Sequence, residues 1–385
     1  MSVYLDYNAT TPLDPAVREA MEAAVGERWG SPQSPHQWGR RARATVEEAR
    51  GRVAELVGCE PRQVSFTAGA TEANNAVLKG RVLGGNRGTL LVGATEHPSV
   101  GETARYLGER GYPVAEVATD GQGRITPEAL RQALEDHAPV DLVSVMWANN
   151  ETGTVQPVAE LAAVCAEYGV PLHSDAAQAA GKVPVDFAGS GAAALTLSGH
   201  KLYGPQGVGA LVRDPERLDL DPLLHGGGHE RGRRAGTENV AGIAGLGRAA
   251  ELAAGRLEAA AAHTRRLRDR LEHRLAEAGL EAEVVGAGAE RLPNTVCLLF
   301  AGVDAQTLLM GLDMAGFGVS SGSACSSGSL EPSPALLAMG IAPERARSAI
   351  RVSLGWPTTE AEVEAFLEVL VPEVCRLRER AALVK

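Results

Sequence analysis

The sequence predicts an α/β fold: a mainly parallel sheet in a large domain, followed by a smaller α+β domain. Three features lead there. Short apolar segments alternate with longer helical patterns between about residues 60 and 215, and such alternation builds parallel sheets. The chain has 385 residues, beyond the roughly 250–300 at which one core usually divides. A long helical region rich in Ala, Leu, Arg and Glu runs from about Asn239 to Ala278, and the pattern changes after it.

The elements follow in order. Residues 63–67 (QVSFT) read as a strand and Thr71 to Leu83 as a helix. GTLLVGA, DLVSVMWANN, GVPLHSD, AALTLSG and VGALVR are further strands, with helices near 98–110, 127–136 and 157–168 between the earlier ones. Beyond the long helix come a strand (NTVCLLF), a helix (304–315), a Ser/Gly-rich loop (320–333), a strand (AIRVSL) and a helix from about Thr358. The expected division is a large domain over 15–260 and a small one over 1–14 plus 261–385.

The formal charge of −11 argues against a nucleic-acid groove. No apolar run approaches the ~18 residues of a membrane span. The N-terminus lacks a basic segment followed by an apolar one, so a cytoplasmic protein is expected. The cysteines are Cys59, Cys165, Cys297, Cys325 and Cys375, scattered and without a Cys-x-x-Cys pair. That disfavours a disulfide framework and a metal site. All but Cys325 lie in or beside apolar segments and are expected to pack inside.

In parallel sheets ligands gather at the carboxyl ends of strands. Ser198-Gly199-His200-Lys201 follows the strand AALTL, and a lysine there can act as a neutral nucleophile. A lone lysine is ordinarily a surface group, but three neighbours change that. Asp175 ends GVPLHSD; it is either a turn aspartate or a partner for a pyridinium nitrogen, which would keep that ring an electron sink. Ala68-Gly69-Ala70-Thr71-Glu72 opens a helix, either as a plain start capped by Thr71 or as a phosphate site made of free N–H groups. It lacks the Gly-Lys-Ser/Thr ending of a nucleotide loop. Thr95-Glu96-His97 and Asn149-Asn150-Glu151 end two more strands. His97 could stack on a ring, and Asn149 and Gln178 could bond its phenolic oxygen.

TAGATEANN, TEH, ANNETG, HSDAAQAAGK, SGHKLYGP, GGGHERGRRAGTENV, SGSACSSGSLEPS and AIRVSLG together resemble cysteine desulfurases of the class V aminotransferase-like pyridoxal-phosphate enzymes. The likeness runs from LDYNATTP to the last strand. It implies the aspartate aminotransferase-like fold, fold type I, with pyridoxal 5'-phosphate on Lys201. It further implies Asp175 at the ring nitrogen, His97 on the ring, and Asn149 and Gln178 at the phenolic oxygen. Ala70, Thr71, Ser198 and His200 would hold the phosphate, with Thr237 arriving from a second subunit of a homodimer.

Cys325 lies in a Ser/Gly segment with almost nothing to bury, which suits a thiolate that carries sulfur. The resemblance implies that Lys201 removes the α-proton of L-cysteine and that Cys325 attacks its sulfur, with His97 as a candidate base. Alanine leaves and a persulfide remains on Cys325, for transfer to an acceptor such as an iron–sulfur scaffold. No resident metal is implied; transient sharing of an iron–sulfur cluster between Cys325 and a partner is compatible with the resemblance. Arg351 would clamp the substrate carboxylate bidentately, with Asn149 also at the substrate; a domain-interface salt bridge is the other reading of Arg351. Two positions depart from the family pattern. Ser31 stands where an Asn often helps hold that carboxylate, and Ser174 where an apolar residue is frequent. A selenocysteine lyase, a class V aminotransferase and a non-catalytic scaffold are the rival readings.

Overall fold

The computed structural model describes residues 2–85, 87–321 and 331–384. Cys325 and most of the expected Ser/Gly loop lie outside the described residues.

Among the described residues a seven-stranded sheet forms in the order Val64–Thr67, Gly209–Arg213, Ala194–Ser198, Leu172–Asp175, Val140–Ser144, Thr89–Gly93, Val114–Val117. All neighbours run parallel except strand 209–213, which is antiparallel to both flanks. It is reached from strand 194–198 through residues 199–208 without a crossover helix. A parallel return needs about a dozen residues or more, so this strand must turn back.

The sheet is buried on both faces, as a parallel sheet requires. Leu91, Val143, Leu195 and Val212 join one core, while Leu90, Val92, Leu142 and Leu211 join the other. Helices Ala70–Leu83 and Pro98–Gly108 cover the second face. Helices Gln37–Leu56, Pro127–Asp136 and Val158–Glu167 cover the first, with the beginning of Val240–Glu277. Helix starts carry the side chains that satisfy their free N–H groups: Asp14, Thr126, Asn239 and Asp304 each accept one.

The long helix Val240–Glu277 then changes partners. Ile243, Leu246 and Ala250 belong to the first core, whereas Leu267, Leu271 and Leu275 join a separate one. That core includes Phe300, Leu308, Ile350 and Phe366, under an antiparallel sheet ordered 320–321, 349–353, 295–300, 282–284. Val3 and Leu5 pack into it as well, and Val3–Tyr4 pairs with Phe317–Gly318.

Several elements carried too weak a signal in the sequence, among them helices Pro15–Glu27 and Gln37–Leu56 and the edge strands Val114–Val117 and Ala282–Val284. Both strands are largely half-exposed, so neither shows a solid apolar run. Cys165 and Cys297 are buried and Cys59 is half-buried, but Cys375 is exposed. On helix Glu360–Val384 its neighbour Val374 takes the inward position, which turns Cys375 outward.

Candidate active site

A cavity of about 600 Å³ opens at the carboxyl ends of strands 64–67, 172–175 and 194–198. Ala70, Thr71, His97, Asp175, Gln178, Ser198, His200 and Lys201 all line it. Lys201 closes the short turn Gly199–Lys201 directly after its strand. The turn is tight enough to require glycine, since a Cβ on Gly199 would lie 2.9 Å from Pro205 O. The Lys201 amine donates to Asn8 O at 2.5 Å and Ala9 O at 2.8 Å.

Asp175 is held by two donors. Asn74 Nδ2 reaches Oδ2 at 2.7 Å, and the N–H of Ala177 reaches Oδ1 at 2.9 Å. Asn74 Nδ2 also donates to Ser99 Oγ at 2.8 Å. With that oxygen accepting, the Ser99 hydroxyl donates to His97 Nδ1, 2.8 Å away. His97 Nδ1 accepts the Ser99 N–H too, capping helix 98–108. This network places the ring proton on Nε2. Burial, reinforced by Lys201 and opposed by Asp175, lowers the His97 pKa, so the ring stays neutral.

Helix Ala70–Leu83 starts at Gly69 with no side-chain cap, and Gly69, Ala70 and Thr71 line the cavity. A Cβ on Gly209 would lie 2.7 Å from Gly69 Cα, so that glycine lets the turn sit against the sheet. Glu72 spans the turn, accepting from the Ala68 N–H at 2.9 Å and from Arg234 at 2.9 Å. His200 meets Thr10 Oγ1 at 3.1 Å. Burial first, then Lys201 and Lys182, drive its pKa to about 4, so it offers the cavity a neutral imidazole. An uncapped helix start with hydroxyls at one end, a carboxylate at the other and a lysine between them fits a phosphorylated pyridine aldehyde.

Gln178 is buried and its Nε2 donates to Asn8 O at 2.9 Å. Asn149, Arg351, Ser31 and Thr237 are not among the residues lining the cavity. Asn149 Oδ1 accepts the N–H groups of Glu151 and Thr152, and its Nδ2 donates to Thr95 O at 3.0 Å. Arg351 is buried between Asp6 Oδ1 at 2.6 Å and Asn150 O at 3.0 Å, and its Nε has no hydrogen-bond partner among the described residues. Asn150 does line the cavity. Ser31 sits in the loop before helix 37–56, accepting the Ser34 N–H through its carbonyl. Thr237 is exposed. The segment leading to it is tied down by the buried pair of Arg50 and Glu230, whose second contact is the Phe66 N–H. Ser174 Oγ is buried without a hydrogen-bond partner among the described residues, so an apolar side chain would lose no bond to them.

Sequence reasoning singled out neither Asn8, Asn74 nor Lys182, and placed Glu151 only within a strand-end polar cluster. Asn74 left a faint signal: a polar residue on the inward stripe of Ala73, Val77 and Leu78. Glu151 is half-buried and accepts from Ser333 Oγ at 2.5 Å, and desolvation lifts its pKa to about 7. The folded state therefore binds that proton more tightly than the unfolded chain. The associated stability is full below the unfolded value and lost as pH rises through about 7. Glu151→Gln, which cannot ionise, is expected to raise the melting temperature near pH 8 and change it little near pH 5. Equal shifts at both pH values in thermal melts would contradict that ionisation.

Burial raises the thiols of Cys59, Cys165 and Cys297 to about 12, so none is a nucleophile at neutral pH.

Residues 3–366 match the family described as Aminotransferase class-V. The chain is 45% identical over 392 aligned residues to an IscS-like cysteine desulfurase of Mycobacterium tuberculosis, covering 99% of this chain and 98% of the relative. It is 40% identical to a cysteine desulfurase IscS of Dictyoglomus turgidum, covering 98% and 95%. A solved NifS-like protein superposes with a TM-score of 0.89 at 36% identity, covering 98% of this chain and all of the other. A structure titled SspA in complex with cysteine superposes with a TM-score of 0.80 at 30% identity, covering 93% of this chain and all of the other. The chain belongs to the class V aminotransferase family, among its cysteine desulfurases.

Proposed function

We propose that this chain is a pyridoxal-phosphate-dependent cysteine desulfurase that converts L-cysteine to L-alanine and leaves the sulfur as a persulfide on Cys325. The observation that carries the reading is one cavity in which Lys201 and Asp175 meet the uncapped start of helix 70–83. It is supported by full-length likeness to relatives named cysteine desulfurase.

Bound pyridoxal phosphate supplies an electron sink for the pair left at the substrate α-carbon. Lys201 anchors the group and moves the α-proton through its amine. Asp175, held by Asn74 and Ala177, keeps the ring nitrogen protonated. Gln178 donates to the phenolic oxygen, with Asn149 nearby holding the 149–152 turn. The N–H groups of Ala70 and Thr71, with Ser198 and His200, bind the phosphate. His97 stacks on the ring. To act as the base toward the Cys325 thiol it would have to carry its proton on Nδ1, breaking the Ser99 cap, so stacking is its principal part. Arg351 would meet the substrate carboxylate by giving up its contacts to Asp6 and Asn150, and Ser31 is shorter than the usual Asn. The Cys325 thiolate attacks the substrate sulfur. A sulfur–sulfur bond forms, the Cβ–S bond breaks, and its electron pair is protonated on the way to alanine.

Thr237 is proposed to serve the phosphate of a second subunit, which makes the enzyme a homodimer. The two cores joined by the long helix support the division into 15–260 and 1–14 plus 261–385. Relatives named IscS support an iron–sulfur scaffold as the sulfur acceptor. The reading includes a cytoplasmic location and no nucleic-acid or membrane partner; no described helix is long and apolar enough to cross a membrane.

Removal of the cofactor tests the proposal. Protein stripped with hydroxylamine is expected to release no alanine from L-cysteine, and pyridoxal phosphate added back to restore both alanine release and a visible absorption band. Equal alanine release without the cofactor would overturn it.

A further inference from the structure

Lys182 is a second buried amine beside Lys201, and no step of the reaction uses it. Its Nζ donates to Gln178 Oε1 at 2.5 Å and to Asn8 Oδ1 at 3.0 Å. Among the described residues no carboxylate forms an ion pair with it. The charged groups that face it are cations, Lys201 on the turn after strand 194–198 and Arg351 on strand 349–353, with His200 a further titratable neighbour. The polar groups around it are uncharged: Asn8, Gln178 and, through Asn8, Asn294. Burial, then Lys201 and Arg351, hold its amine well below the ordinary lysine range. Its donors are in use toward Gln178 and Asn8.

A buried lysine without a counter-ion is a costly way to fill space; a methionine would pack as well. What the lysine adds is direction. The two ends of a glutamine amide have nearly the same shape, and only hydrogen bonds decide which way it faces. With Oε1 taken by Lys182, Nε2 turns to Asn8 O at 2.9 Å, leaving its second N–H for the cavity that Gln178 lines. Turned over, the amide would set Oε1 against Asn8 O and Nε2 against a donor.

We propose that Lys182 is a positioning residue that fixes the Gln178 amide with its N–H end toward the cofactor's phenolic oxygen. The inference rests on the proposed pyridoxal phosphate site and adds to it the group that orients one of its donors. An N–H donor stabilises the phenolate and lowers the proton affinity of the nitrogen that joins Lys201 to the cofactor. A carbonyl oxygen in its place raises that affinity. The Q178L background separates loss of this orientation from any change of charge around Lys201.

The test is a pH titration of the visible band of the holoenzyme in wild type, K182M, Q178L and the double variant. K182M and Q178L are each expected to raise the midpoint by about one pH unit, tenfold in proton affinity. The double variant is expected to move no further than Q178L alone. An unmoved midpoint in K182M, or a K182M shift that persists undiminished in the Q178L background, would overturn the inference while the cofactor site stands. A wild-type protein that gains no visible band with pyridoxal phosphate would overturn the site itself. If K182M does not fold, K182Q keeps an N–H donor and is expected to stay within about 0.3 unit of wild type. A K182Q shift as large as that of Q178L would overturn the inference too.

Discussion

Lys201→Ala is expected to lower kcat for alanine release by about 10³-fold or more, because it removes the cofactor's covalent anchor and the proton-moving amine together. Asp175 and the helix start at Gly69 remain, so pyridoxal phosphate should still bind, now reversibly, and leave on gel filtration. Borohydride reduction followed by peptide mapping checks this. The cofactor should be found on Lys201 in wild type and on no lysine in the variant. The sharpest alternative acceptor is Lys182, whose amine shares Asn8 with Lys201. Its two N–H bonds point at Gln178 and Asn8, which argues against it. A reduced adduct on Lys182, with activity retained, would show that the anchor has been misassigned.

Cys325→Ala is expected to abolish sulfur release from L-cysteine while leaving the visible band and cofactor affinity unchanged. No other described thiol can replace it. Cys59, Cys165 and Cys297 are held protonated by burial. Cys375 is exposed on helix Glu360–Val384, none of whose residues lines the cavity. Quenched-flow assays of alanine and sulfide check the loss. Wild-type rates in the variant would mean that sulfur leaves without a protein thiol, the behaviour of a lyase.

The gathering of Asp175 and Lys201 at one cavity was legible because each sits at the end of a strand. Asp175 closes LHSD and Lys201 follows ALTLS, and the sheet brings those ends together. Residues that act through others were not legible in the same way. Asn74 stands beside Asn75 in the sequence, and only helix 70–83 packed on the sheet turns one inward to Asp175 and the other out to Thr71 O. Asn8 gathers Lys182, Lys201, Gln178, Asn150 and Thr295. Those contacts span up to 287 positions of the chain, which no local pattern reveals. The antiparallel turn of strand 209–213 depended on a short connection. Edge strand 114–117 was hidden by its half-exposed side chains.

Transfer of sulfur to Cys325 is the central claim, and mass spectrometry of the holoenzyme after a limited turnover of L-cysteine tests it most directly. The predicted result is one added sulfur atom, mapped to the peptide that carries Cys325 and removed by dithiothreitol, with one alanine released per sulfur gained. An unmodified Cys325 after alanine has formed would contradict it.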